Sequence, residues 1–283
     1  MPHTATFFRQ QLTFSTHKGF PVDFINRDRA AIDLYLFNSN SIESEQISAL
    51  AEQYLHPHEQ AIFAKRKQQQ AKQEYLASRI IIKAYASQCW GYDFTDLSVL
   101  FDNEDTCLKV YYQEQVLPLR CCISHSRGQV LIALVALKAT TTAQDLKLGV
   151  DLEWISTKRS LERVARHYYH AQELQACITH SESVTEGAVK AVQHHALYRI
   201  WTLKEALAKA IKQPVAKLLR DNVFSHCAPL QVHSGCYGCS FGESYQGAYK
   251  EFDISIISDI ALTGSTHINI VTGNLAQDLR KVK

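Results

Sequence analysis

The segment LGVDLEW, residues 148–154, sets apolar Leu148, Val150, Leu152 and Trp154 against Gly149, Asp151 and Glu153. Such alternation reads as a β-strand, and side chains two apart on a strand share a face, about 7 Å from one another along the chain. Asp151 and Glu153 therefore point the same way. Two carboxylates so placed can converge on one hard divalent cation such as Mg²⁺, which leaves its other positions to water and phosphate oxygens. The pattern also fits a half-exposed edge strand with a solvated acidic face. Gly149 would let something large approach the backbone.

A second segment, ALYRIWTLKEALAKAI at 196–211, has helical periodicity. Leu197, Ile200, Leu203, Leu207 and Ile211 form one stripe, which should be core. Trp201, Glu205 and Lys209 fall at i, i+4 and i+8 on a roughly opposite stripe. A tryptophan there implies a partly buried face rather than a solvated Glu–Lys pair. If this face meets the strand of Asp151 and Glu153, three carboxylates and a lysine line one site. That set suits a metal-bound pyrophosphate, with Lys209 offsetting phosphate charge.

The elements that must hold these residues follow from pattern. AIDLYLF (31–37) reads as a strand, and SIESEQISALAEQYL as a helix with Ser41 as N-cap. AIFAKRKQQQAKQEYLASRIIIKAYASQCW reads as one long helical stretch. LSVLF, CLKVYY, RCCIS and QVLIALVAL read as strands. The polar tract ATTTAQD, 139–145, marks a boundary. Beyond it come the strand LGVDLEW, helices over SLERVARHYY and AQELQACITH, a loop at HSESVTEG and the strong helix, which Pro214 ends. NVFSH, YKEFDISIIS and HINIVT close the chain as strands. The expected fold class is α+β: two similar halves, pseudo-twofold, with antiparallel sheets and packed helices. Residues 1–144 form the N-terminal lobe and 145–283 the C-terminal lobe that carries the metal site, with a cleft between lobes as a natural ligand site. The order of elements is similar in both halves, without a residue-level repeat.

Composition narrows the class. The 283 residues are 46% hydrophobic and 20% charged, with a formal net charge of +2. That is globular composition without a global field toward nucleic acid or anionic lipid. No run of about 18 apolar residues spans a membrane, and the N-terminus lacks the apolar run of a signal peptide. The eight scattered cysteines read as free thiols in a reducing, cytoplasmic protein.

GVDLE (149–153) and WTLKEALAK (201–209) resemble the two signature motifs of the 4′-phosphopantetheinyl transferases, and ISHS (123–126) is similar to the family's upstream S-H motif. The long, two-lobed monomeric type, Sfp-type, is the nearest form, over roughly residues 55–215. The resemblance implies transfer of the 4′-phosphopantetheine arm from coenzyme A to a serine of an acyl or peptidyl carrier protein, with release of 3′,5′-ADP. It implies Asp151, Glu153 and Glu205 as Mg²⁺ ligands, Glu205 as general base and Lys209 as the phosphate-binding lysine. Ser124 and His125 are then coenzyme A contacts, with His125 near the 3′-phosphate. The implied partners are coenzyme A as co-substrate and the carrier protein, with no nucleic acid and no membrane, for a monomer.

The resemblance thins on the nucleotide side. Ile62 lies near the family's early basic position, with Lys65, Arg66 and Lys67 one turn on as substitutes, Arg66 taken for coenzyme A contact; Arg79, in EYLASR, resembles the arginine of an EFLAGR-like family stretch and stands for phosphate contact or packing. No G-K/R-P turn precedes ISHS. CYGC (236–239) sits in a glycine- and serine-rich tract that reads as a surface loop or hairpin, and one C-x-x-C with loosely spaced histidines does not make a zinc site. Two rival readings stand beside the transferase: another Mg²⁺-dependent phosphoryl-transfer enzyme using the same carboxylates, and a non-catalytic relative that binds a carrier protein.

Overall fold

The structure is a computed structural model that describes residues 13–18, 32–137, 146–156, 161–179, 186–223, 231–232, 236–241, 251–258 and 267–272. Along the chain run β1 (Thr13–Lys18), β2 (Asp33–Asn38), α1 (Gln46–Tyr54), α2 (Pro57–Ala64), α3 (Gln69–Trp90), β3 (Leu97–Asp102), β4 (Cys107–Tyr112), β5 (Gln115–Val116), β6 (Leu119–Ser126) and β7 (Gln129–Ala136). They continue with β8 (Leu148–Trp154), α4 (Leu161–Tyr168), α5 (Ala171–Thr179), α6 (Glu186–Ala210), α7 (Val215–Leu218), β9 (Gln231–Val232), β10 (Cys236–Phe241), β11 (Phe252–Ser258) and β12 (His267–Thr272). The fold is α+β, as the patterns implied.

The chain divides into two compact units, one of residues 13–146 with 267–283, the other containing 147–266. The first holds a sheet in the order β1-β12-β2-β7-β6-β4-β3, with β5 on β4. Its pairs are antiparallel except that β12 runs parallel to both β1 and β2. The second holds the antiparallel sheet β8-β11-β10-β9. In each unit one long helix covers the sheet: α3 packs Leu76, Ile80 and Ala84 over β3, β6 and β7, and α6 packs Leu203, Ala206 and Leu207 over β8 and β11.

Several local expectations change. The helix after Ser41 begins at Gln46 with Glu45 as N-cap, because the Ser41 hydroxyl is already engaged in a tight turn, donating to the Asn38 carbonyl at 2.7 Å. The single helix over 61–90 is two, because the Arg66 N–H bonds Phe63 O at 3.0 Å and turns the chain instead of propagating the helix. Of the loop or hairpin expected at CYGC, the structure has the hairpin: Cys236–Phe241 is a strand paired antiparallel to β9 and also to β11. The loop over 180–187 and the strand over 222–226 fall mostly outside the described residues, though Glu186 and Gly187 already belong to α6.

A residue-level repeat is also present. In the first unit, Glu59 accepts from His56 N at 2.8 Å and Val99 N at 2.9 Å, and Lys83 Nζ lies 2.6 Å from it. In the second, Glu173 accepts from His170 N at 2.8 Å and Val223 N at 2.7 Å, and Lys204 Nζ lies 2.9 Å from it. Each is an H-x-x-E at a helix start, answered by a lysine from the long helix, and both lysines and both glutamates are fully buried. Charges buried this completely persist only when paired and hydrogen-bonded. Lys83 donates further to Tyr54 O, and Lys204 to the carbonyls of Leu218, Leu219 and Asp221. The repeat escapes pattern reading because it is carried by three polar residues distributed over two helices.

Candidate active site

The acidic strand and the lysine-bearing helix meet. Gly149 sits so close to α6 that a Cβ there would lie 1.9 Å from the Ala206 carbonyl oxygen and 2.7 Å from the Ala210 nitrogen. The large group that approaches Gly149 is thus the backbone of α6. This contact sets the last turns of α6 on the face of β8 that carries Asp151 and Glu153. Lys209 Nζ donates to Asp151 Oδ1 at 2.8 Å and to Val150 O at 3.0 Å. Asp151 is buried, while Glu153, Trp201, Glu205 and Lys209 are half-buried. Glu205 stands one turn before Lys209 on the same stripe of α6. The apolar stripe Leu197, Ile200, Leu203 and Leu207 is core, as its spacing predicted, with Ile211 partly buried.

Among the described residues, no three His, Cys, Asp or Glu side chains are grouped to hold a metal ion. The donor chemistry of Asp151, Glu153 and Glu205 nevertheless fits Mg²⁺, a hard cation that takes oxygen ligands. Asp151 already carries a cation, the Lys209 ammonium, so this buried carboxylate is placed to receive positive charge.

The other sequence-selected residues lie in the first unit. Ser124 and His125 are on β6, opposite Leu131 and Val130 of β7. The two strands join through Arg127 and Gly128, at φ 51° and 80°. A two-residue turn with both φ positive matches strand twist, and a Cβ on Gly128 would collide with the Asn40 side chain. Ser124 is buried, whereas His125 is half exposed, its Nδ1 3.1 Å from Glu74 Oε2. Glu74 is fixed in turn by Gly128 N at 3.1 Å and Gln70 Nε2 at 2.7 Å.

Beside Glu74, the Tyr75 ring receives two guanidiniums, Arg66 at 4.4 Å and Arg79 at 4.2 Å from its centroid. Lys65 and Lys67 are exposed, so of the three-residue basic run only Arg66 turns inward. Burial, then the nearby Arg79 charge, pulls the Arg66 pKa below its ordinary value. Burial raises that of Tyr75. Two cations on one ring concentrate positive charge at one place, which suits an anion.

Sequence reasoning missed Glu74 and Tyr75. They are the first two residues of EYLASR itself, and the i, i+4 spacing of Tyr75 and Arg79 was the available signal. It also missed the polar side of β11, where Asp253 and Ser255 alternate with Phe252, Ile254 and Ile256. That alternation was legible but lay within a strand read only as closing the fold.

Among the described residues no helix is long and apolar enough to cross a membrane. No curated protein matches the chain. Residues 147–257 match the family model for the 4′-phosphopantetheinyl transferase superfamily. Asp151, Glu153, Glu205 and Lys209 all fall inside that span, over which the chain is similar to the 4′-phosphopantetheinyl transferase superfamily.

Proposed function

We propose that this protein transfers the 4′-phosphopantetheine arm of coenzyme A to a serine of an acyl or peptidyl carrier protein, as a Mg²⁺-dependent, cytoplasmic, monomeric enzyme. The observation that carries the reading is the Lys209–Asp151 contact at 2.8 Å, which joins the two motif segments in one site inside the superfamily span. Asp151, Glu153 and Glu205 would hold the cation. When bound, it neutralises charge on the pyrophosphate oxygens.

The remaining chemistry belongs to the side chains. Glu205 accepts the proton of the carrier serine hydroxyl. The serine oxygen bonds to the phosphorus that bears the pantetheine, and the P–O bond to the second phosphate breaks. The electron pair leaves on an oxygen of 3′,5′-ADP, whose growing charge Lys209 offsets. Little covalent work is asked of the protein, so positioning dominates. Arg66, Arg79, Ser124 and His125 are assigned to coenzyme A, with the guanidiniums on its phosphates.

The test is intact mass spectrometry of an apo acyl carrier protein incubated with the enzyme, coenzyme A and Mg²⁺. A gain of ~340 Da that vanishes with chelator is expected for metal-assisted transfer. No gain on acyl and peptidyl carriers alike would favour the non-catalytic, carrier-binding reading.

A further inference from the structure

Glu74 is a buried carboxylate that the chemistry above does not use. It stands near the start of α3 and gathers three donors from three places. Its Oε1 accepts from Gln70 Nε2 at 2.7 Å and from Gly128 N at 3.1 Å, and its Oε2 lies 3.1 Å from His125 Nδ1. Gln70 is one turn earlier on α3, Gly128 is in the β6–β7 turn and His125 is on β6. The turn is clamped a second time, since the Gly128 carbonyl accepts from Ser39 N and Ser39 Oγ, both at 2.8 Å.

An ionised carboxylate only accepts, so His125 Nδ1 carries a proton and donates to Glu74. The bond made by one ring nitrogen sets what the other offers. Nε2 lies across the ring from Nδ1 and points away from Glu74, and the His125 side chain is half exposed. With Nδ1–H held in this way, Nε2 of a neutral ring is a bare acceptor that repels a phosphate oxygen. A ring protonated on both nitrogens donates through Nε2 instead and lies between two anions, Glu74 and the phosphate. The Gln70 and Gly128 donors are neutral, so they leave the Glu74 charge to serve as counter-ion to that ring. Arg66 and Arg79 stand over the ring of the next residue, Tyr75, which adds positive charge beside the same carboxylate.

We infer that Glu74 is a positioning residue: it fixes the His125 ring so that Nε2–H meets a phosphate of coenzyme A. This rests on the reading of His125 as a coenzyme A contact. Glu74 then acts on the ligand only through His125, and its loss changes nothing further once His125 is gone.

The experiment is calorimetric titration of coenzyme A into the full chain, for the wild type, Glu74→Gln, His125→Ala and the double variant Glu74→Gln/His125→Ala. Glutamine keeps one oxygen for Gly128 N and Gln70 and turns its amide nitrogen toward Nδ1, which opposes the doubly protonated ring. Each single variant is expected to bind about tenfold more weakly, the loss of one charge-assisted contact. The double variant is expected to be no weaker than His125→Ala. Should Glu74→Gln fail to fold, Glu74→Asp, which withdraws the carboxylate by one methylene, enters the same cycle. Additive losses would leave Glu74 as a support of the turn alone and overturn the inference, as would Glu74→Gln binding as tightly as the wild type; both results leave the coenzyme A reading intact. His125→Ala binding as tightly as the wild type removes His125 from the ligand, and a wild type that binds no coenzyme A removes the coenzyme A reading itself; either takes this inference with it.

Discussion

Lys209 Nζ bonds Asp151 Oδ1 at 2.8 Å and the Val150 carbonyl at 3.0 Å, so one ammonium ties the last turn of α6 to the strand that carries both acidic residues. The same ammonium occupies the carboxylate that a divalent cation would use. Lys209→Met should therefore have opposite effects on binding and turnover. Mn²⁺ affinity without coenzyme A should rise, because Asp151 is released. Carrier modification should fall by at least about a hundredfold in kcat, because charge on the leaving phosphate is no longer offset. Calorimetry and a mass-based rate assay measure the two, and a loss of Mn²⁺ affinity in the variant would contradict the arrangement.

Gly149 tolerates no side chain. A Cβ 1.9 Å from the Ala206 carbonyl oxygen meets helix backbone, which cannot turn aside as a flexible side chain can. Gly149→Ala should destabilise the unit holding β8 and α6 by about 2–3 kcal/mol, since overpacking forces backbone shifts. Denaturant unfolding monitored by circular dichroism would show a lowered midpoint.

The buried pairs Glu59–Lys83 and Glu173–Lys204 predict matched behaviour in the two units. Lys83→Met or Lys204→Met strands a buried glutamate and should cost about 3–5 kcal/mol. Combining Lys204→Met with Glu173→Gln should cost less than Lys204→Met alone, because no charge is left uncompensated. Paired unfolding curves test the difference, and an equal loss in both variants would mean that the lysine acts through its three carbonyl contacts instead.

Tyr75 gives a pH signature. Burial is the largest cause raising its pKa, and the flanking guanidiniums oppose it in part. A group whose pKa is higher folded than unfolded stabilises the fold below its unfolded value and loses that contribution as pH rises through the folded value. Stability should therefore decline above about pH 10, the ordinary tyrosine value. Tyr75→Phe should flatten that alkaline decline. At neutral pH it should be neutral or raise stability by about 1 kcal/mol, since the Tyr75 hydroxyl is buried without a hydrogen-bond partner among the described residues. Thermal melts at pH 8 and pH 10.5 compare the two proteins.

On the proposed reading, His125 and Arg66 serve coenzyme A binding and not the transfer step. Both lie in the unit that lacks the acidic strand. His125→Ala and Arg66→Ala should raise the KM for coenzyme A by about tenfold, the loss of one charge-assisted contact, with kcat largely kept. A drop in kcat with unchanged KM would remove them from the coenzyme A contacts.

Much of this was fixed locally. The two-residue period of LGVDLEW and the helical stripe of ALYRIWTLKEALAKAI specify a strand and an amphipathic helix whatever surrounds them, because period and burial are tied by backbone geometry. The residue types at Asp151, Glu153, Glu205 and Lys209 likewise name their chemistry in advance. Tertiary structure decided which of these groups touch. Val150 and Lys209 are 59 residues apart, and only the fit of Gly149 against Ala206 and Ala210 brings them within bonding distance. Tertiary structure also turned Arg66 inward onto Tyr75 while Lys65 and Lys67 stayed in water, and sent Lys204 into the core beside the half-buried Glu205. These are choices between neighbouring residues of similar kind. A burial that needs a counter-charge from another element makes them, and that element's position is not written in the local sequence.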